Sequence, residues 1–300
     1  MASGRKAHHQ VLLFVETNPC TPEMIYKHYQ PTARTAAFVQ RYELRHFRFN
    51  GLSNLPFKPF PASPFPYLHF YPRGFETMKD PSNDSSLVKK DTAISALFSH
   101  RYDRYVSEEF MLITVILNPG ILHCLGGMGM REMVDQHLNA DEVFGNCFRT
   151  INEKLQSVED YPTLIAMVDD FLHCFMNERL VGAKLPMAQL IGRMVADPSG
   201  TGIEQIASDA CLSYRQFERR FIEYTGLCPR SYQRIARFHY AYTLKQQQPE
   251  WDWLRIAIDA GYTDYQHLAK DFIAFAGTTP PRYFKEDDNA PGRLLGLRKR

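Results

Sequence analysis

Arg215, Gln216 and Arg219 lie within one helical turn of each other in the stretch CLSYRQFERRFIEYTGLCP, residues 211–229. Arginine carries a planar fork that matches O6 and N7 of guanine, and glutamine can bond adenine in the same two-point way. Ser213 and Tyr214 stand at the start of this helix, where free backbone N–H groups favour a phosphate. Glu218 has two readings, an acceptor for cytosine N4 or a surface ion pair. A related stretch downstream carries Tyr265, Gln266, His267 and Lys270 at the equivalent outer positions. That set is less basic, so the first helix is expected to make the stronger base contacts. Arg220 is expected on the solvated surface, because its counterpart in the later stretch is Asp271.

The two stretches belong to an internal repeat. At a spacing of 50, Ile206, Ala207, Asp209 and Ala210 recur as Ile256, Ala257, Asp259 and Ala260. One extra turn residue moves the spacing to 51, where Tyr214, Phe221, Ile222, Gly226, Pro229 and Tyr232 recur as Tyr265, Phe272, Ile273, Gly277, Pro280 and Tyr283. Each copy reads as helix, tight turn, helix. Alanines let the two helices approach, and Ser213 and Asp264 suit the cap of the second helix. Phe217, Phe221 and Tyr224 form one apolar stripe, and Leu268, Phe272 and Phe275 the other. Gly226 and Gly277 end the helices. Such a unit offers its second helix to the major groove.

The segment between the copies has Tyr232, Ile235, Phe238, Ala241 and Leu244 at helical spacing and reads as a connecting helix. About sixteen residues span roughly 24 Å. That length could set two recognition helices roughly 34 Å apart, one turn of DNA.

On these residues the sequence resembles the AraC/XylS family of bacterial transcription regulators, over residues 186–284. The first copy carries the run I-A-x-x-A through S-x-R-x-F-x-R-x-F to G, then P-x-x-Y. The second carries I-A-x-D-A-G-Y-x-D, then H-L-x-x-D-F, then G-x-x-P-x-x-Y. The resemblance implies two helix-turn-helix units joined by a long helix. It places base-edge contacts on Tyr214, Arg215, Glu218 and Arg219, and on Gln266, His267 and Lys270. Lys270 stands where arginine is common, which keeps the charge and loses the fork. The N-terminal part is more weakly similar to an uncharacterised domain that precedes this module in some members. That similarity implies an effector-binding or dimerising region.

Two domains fit the 300 residues. The expected division is residues 1–180, a sensor or dimerisation domain, residues 185–285, the double helix-turn-helix, and residues 286–300, a disordered tail. The expected fold class is α+β for the first domain, a small β-rich unit plus helices, and all-α for the second. Five prolines between Pro56 and Pro66 exclude a helix there. Residues 67–71, 93–97 and 110–117 read as strands. A short helix is expected around Ala36, Val39 and Tyr42, a polar loop over residues 78–91, and helix from about residue 130 onward. Asp160 is expected to cap a helix that follows it, and Pro186 to open another.

The net charge is +2, so composition alone does not indicate a nucleic-acid binder. Residues 200–248 hold seven Lys/Arg against four Asp/Glu, a modest basic patch. The apolar run at residues 11–15 is too short for a signal-peptide core, and no stretch is long and apolar enough for a membrane span. The cysteines, Cys20, Cys124, Cys147, Cys174, Cys211 and Cys228, form no C-x-x-C and read as thiols in a reducing, cytoplasmic setting. The Leu-His-Cys triplets at His123–Cys124 and His173–Cys174 are poorly spaced for shared metal chelation. No nucleotide, protease or hydrolase motif is present, so neither enzymatic activity nor a cofactor is expected. Phe65, Tyr67, Phe70 and Tyr71 are candidates to line an apolar effector pocket.

The expected function is sequence-specific binding of double-stranded DNA by a transcription regulator. A small-molecule effector, RNA polymerase and a second copy of the chain are the further partners considered. The alternative is a sensor or adaptor that has lost DNA binding.

Overall fold

The computed structural model describes residues 23–49, 55–126, 129–180, 186–200 and 202–294. In the first half, period-2 alternation builds an antiparallel sheet with two covered faces. Its strands are β1 (Glu23–Tyr29), β2 (Val39–Arg48), β3 (Lys58–Phe60), β4 (Tyr67–Lys79), β5 (Ser86–Ser95), β6 (Tyr102–Val106), β7 (Glu109–Leu117) and β8 (His137–Asn139). The order is β1-β2-β7-β4-β5-β8, with β6 pairing β3 and β4.

Tyr42, Leu44, Leu68, Phe70, Ile113 and Val115 share one face and pack under helices. Those helices are α1 (Ile121–Cys124), α2 (Ala140–Phe144), α3 (Cys147–Gln156) and α4 (Tyr161–Arg179). Asp160 caps α4 by accepting from the Thr163 amide at 2.9 Å. Asp169 of α4 pins the turn before β2, accepting from the Tyr42 hydroxyl at 2.7 Å and from the Thr32 and Thr35 hydroxyls. The residues between these positions, Arg41, Glu43, Arg45, Phe47, Tyr67, His69, Thr114 and Ile116, point from the other face into a cavity.

Three expectations for this half are corrected. The segment around Val39 and Tyr42 is strand β2, because its side chains alternate between two covered faces rather than following a helical stripe. Residues 78–91 hold the end of β4 and most of β5, paired from Glu76–Lys89 to Lys79–Ser86. Helix does not run on from residue 130, where turns lead into β8 and its pairing with β5.

The second half is helical: α5 (Pro186–Ala196), α6 (Ile203–Asp209), α7 (Tyr214–Thr225), α8 (Pro229–Gln247), α9 (Trp253–Asp259), α10 (Tyr265–Ala276), α11 (Pro280–Asp288) and α12 (Pro291–Leu294). Its core joins Ile206, Phe217, Phe221, Tyr232, Phe238, Ile256, Leu268, Phe272 and Tyr283. Ala62 and Leu97 of the first half belong to the same core. The Ala62 amide also donates to the Phe275 carbonyl at 2.9 Å. Residues 286–294, expected to be disordered, are helical in large part. The reason is Asp287, buried at 1% exposure and paired with Lys58 of β3 and Arg293.

Candidate nucleic-acid interface and ligand cavity

Each repeat copy folds as helix, turn, helix. The turns cross the left-handed region at matching positions, Cys211 with φ 53° and Gly261 with φ 76°. Glycine adopts that conformation without the Cβ penalty that Cys211 carries, on the order of 1 kcal/mol. Ser213 caps α7 within a capping box: the Gln216 side-chain oxygen accepts from the Ser213 amide at 3.1 Å and from its hydroxyl at 2.9 Å. Asp264 caps α10, accepting from the His267 amide at 2.7 Å. Gly226 and Gly277, with φ 81° and 72°, end the two helices. A Cβ at Gly226 would also fall 2.3 Å from the Met130 carbonyl oxygen.

Phe217 and Phe221 turn inward, as do Leu268, Phe272 and Phe275. The opposite face of α7 therefore exposes Arg215, Gln216 and Arg219, with Glu218 and Tyr214 half-buried beside them. Ser213, at its start, is exposed. Arg219 is 73% exposed and makes a loose contact with Glu223 at 3.8 Å. On α10, Gln266 and Lys270 are exposed and Tyr265 and His267 half-buried. The Gln216 carboxamide is drawn back to its own helix cap, a use the spacing of outer residues did not disclose.

Arg220 is exposed, whereas its repeat partner Asp271 is buried at 1% exposure. Asp271 accepts from Arg234 Nε at 2.6 Å and from the Tyr262 hydroxyl at 2.9 Å, and so ties α8 to α10. The far end of α7 meets the first half of the chain, where the His123 and Tyr224 rings lie 4.2 Å apart. Among the described residues no cluster of His, Cys, Asp and Glu could hold a metal ion.

The inner face of the sheet and the side of α8 enclose a cavity of about 190 Å³. Its walls are Phe47, Phe60, Tyr67, Met78, Phe98, Phe110 and Ile116 of the first half, closed by His239, Tyr242, Thr243 and Gln246 of α8. Of the candidate aromatics, Tyr67 lines it, stacked on His69 at 5.7 Å. Phe70 points through the sheet to Phe148, as strand alternation requires. Phe65 is buried against His239 at 5.3 Å, and Tyr71 is buried with its hydroxyl on Glu76 at 2.9 Å.

Arg41, Arg45, Lys58, Lys89, Arg104 and Arg293 also line the cavity, against Glu43 and Glu76, so its field is positive. Most of these charges are paired: Glu43 with Arg41 and Arg45, Glu76 with Arg104, and Asp287 with Lys58 and Arg293. Burial raises the Glu76 pKa, but Arg104 and Lys89 outweigh it and hold the carboxyl below its usual range. Lys89 is 4% exposed and bonds the Ser95 hydroxyl at 3.1 Å. Burial, opposed by Glu76 and aided by Arg104, pushes its pKa down to about 7. Lys89 lies in residues 78–91, so the expectation of a polar loop concealed it.

A helix-turn-helix domain model matches residues 206–286. No curated protein matches the chain in sequence. Among solved structures, ToxT from Vibrio cholerae is similar at 12% identity, with 82% of this chain and 98% of ToxT covered and a TM-score of 0.47. The unsaturated fatty acid-bound form of ToxT gives 12% identity, 79% and 93% coverage, and a TM-score of 0.44. The AraC-like transcriptional activator CuxR gives 12% identity, 67% and 76% coverage, and a TM-score of 0.27. No helix among the described residues is long and apolar enough to cross a membrane. With its two capped second helices, the segment 206–286 is a helix-turn-helix domain, and it carries the repeat motifs on which the sequence resembles the AraC/XylS family.

Proposed function

We propose that the protein binds specific DNA sequences in the bacterial cytoplasm, and that a small molecule held in the cavity of its N-terminal domain controls that binding. Arg215 and Arg219 read base edges from α7, assisted by Tyr214 and Glu218. Ser213 and the start of α7 hold a phosphate. Tyr265, Gln266, His267 and Lys270 serve the second groove segment. What supports this reading is the exposure of Arg215 and Arg219 on a helix whose other face is anchored by Phe217 and Phe221. A guanidinium left without a buried partner is free to spend its fork on a base or phosphate.

Effector control is supported by the cavity wall. His239, Tyr242, Thr243 and Gln246 belong to the helix that joins the two reading units. A ligand touching them touches the element that sets the spacing of α7 and α10. Two units in one chain span two groove segments, so the reading does not require a dimer.

The test is the affinity of the full-length protein for a selected duplex, with Arg219→Ala against Arg220→Ala. The first is expected to cost roughly 1–3 kcal/mol and relax one base position, the second to weaken all sequences evenly and by less. Equal binding by wild type and Arg219→Ala on every duplex would support the alternative, a sensor that has lost DNA binding.

A further inference from the structure

Lys89 is the cavity cation with no carboxylate of its own. Among the described residues no ion pair reaches it, and its cross-strand neighbour Glu76 is committed to Arg104 and Tyr71. The amine donates to the Ser95 hydroxyl and lies 5.9 Å from the Phe98 ring centroid, and Ser95 is in turn 2.7 Å from His137 Nδ1. The amine lines the cavity beside aromatic walls and near the Arg104 guanidinium. Desolvation and a neighbouring cation both favour the neutral form of a lysine amine, and that form is the nucleophile.

Resting on the reading of this cavity as a ligand site, we propose that Lys89 captures a carbonyl ligand, an aromatic aldehyde or ketone, as a reversible imine. The Nζ lone pair adds to the carbonyl carbon, and the oxygen takes up the two amine hydrogens and leaves as water. The C=N bond replaces the C=O bond, and no oxidant, reductant or co-reactant is needed. The positive field of the cavity favours the oxygen as it gains charge during addition. An uncharged carbonyl compound also enters without the cost of burying an ion, a cost that a carboxylate must meet. The aromatic walls and the volume suit a ring-bearing ligand, since an engineered cavity of about 150 Å³ holds benzene.

The experiment incubates full-length protein with equimolar benzaldehyde and cyanoborohydride, which reduces an imine to a stable benzylamine, and maps the adducts by mass spectrometry. Lys89 is expected to be labelled at least tenfold faster than any other described lysine, and Lys89→Arg is expected to lose that adduct alone. The rate should rise through about pH 7, where the amine loses its proton. The charged or titratable groups facing it are Glu76, His69, Arg104 and His137. Should Lys89→Arg fail to fold, the wild type still decides: excess benzyl alcohol should slow labelling at Lys89 and leave surface lysines unchanged. Adducts spread over surface lysines with no preference for Lys89 overturn the proposal. So does stabilisation by benzoate while Lys89 stays unlabelled, an outcome that keeps the cavity as an effector site for acids. Labelling of Lys89 with unchanged duplex affinity keeps the carbonyl site and removes effector control.

Discussion

Tyr232 and Tyr283 hold matching positions in the internal repeat, and both donate their hydroxyls to one proline-rich segment, to the Pro64 and Pro59 carbonyls at 2.9 Å each. Prolines cannot donate from their nitrogens, so this segment offers acceptors and takes donors from outside. The two helix-turn-helix units are thereby fixed to one rigid strip of the first half. Tyr232→Phe and Tyr283→Phe each leave a buried carbonyl without its donor and should cost about 1–3 kcal/mol, measured by urea unfolding of the full chain. The segment from residue 186 onward, expressed alone, loses Ala62 and Leu97 from its core and should unfold at a lower urea concentration. Equal midpoints for this piece and the full chain would contradict the shared core.

Gln216 closes the capping box of α7. Gln216→Ala should lower stability by about 1 kcal/mol, and Gln216→Glu, which preserves the box, should lower it little. Neither change should alter the preferred base at any position of a selected duplex. A changed preference would return Gln216 to base reading.

Asp271 is the buried acid between α8 and α10. Asp271→Ala strands Arg234 and the Tyr262 hydroxyl and should cost about 3 kcal/mol, the low end for a broken buried pair because Arg234 is half-exposed. Asp271→Asn keeps a bond to Tyr262 and should cost less. Thermal unfolding of both variants checks the order.

Asp169 supplies a pH dependence. Burial raises its pKa, but hydrogen bonds from Thr35, Thr32 and Tyr42 prevail and hold it below the ordinary value of 3.8. A carboxyl with a depressed folded pKa stabilises the fold above its unfolded pKa, and that stability is lost as pH falls through the folded value. Below about pH 4 the wild type should therefore lose stability more steeply than Asp169→Asn. Parallel acid-unfolding curves would show that the Asp169 bonds do not favour the carboxylate.

The second half was legible because its rules are local. Ser213, Asp264, Gly226 and Gly277 mark helix ends by their own chemistry, and Phe217 and Phe221 mark the buried face by spacing. The first half follows a different logic. In β2, Arg41, Glu43 and Arg45 alternate with Tyr42 and Leu44, and charged residues at every second position ordinarily face water. Here they face a cavity that strands and α8 close only in three dimensions. Ala36, Val39 and Tyr42 happen to fall three apart, which imitates a helix. Lys89 was hidden for the same reason, since a polar stretch reads as a loop until β4 and α8 cover it. The ordered tail depended on Asp287 finding Lys58, a contact across most of the chain.

Selection of binding sites from a random duplex library, with full-length protein at about 0.15 M salt, tests the central claim most directly. A motif in two blocks centred roughly 10 base pairs apart, read by α7 and α10 on one face of the duplex, is expected to be enriched. Failure to enrich any sequence would contradict that claim.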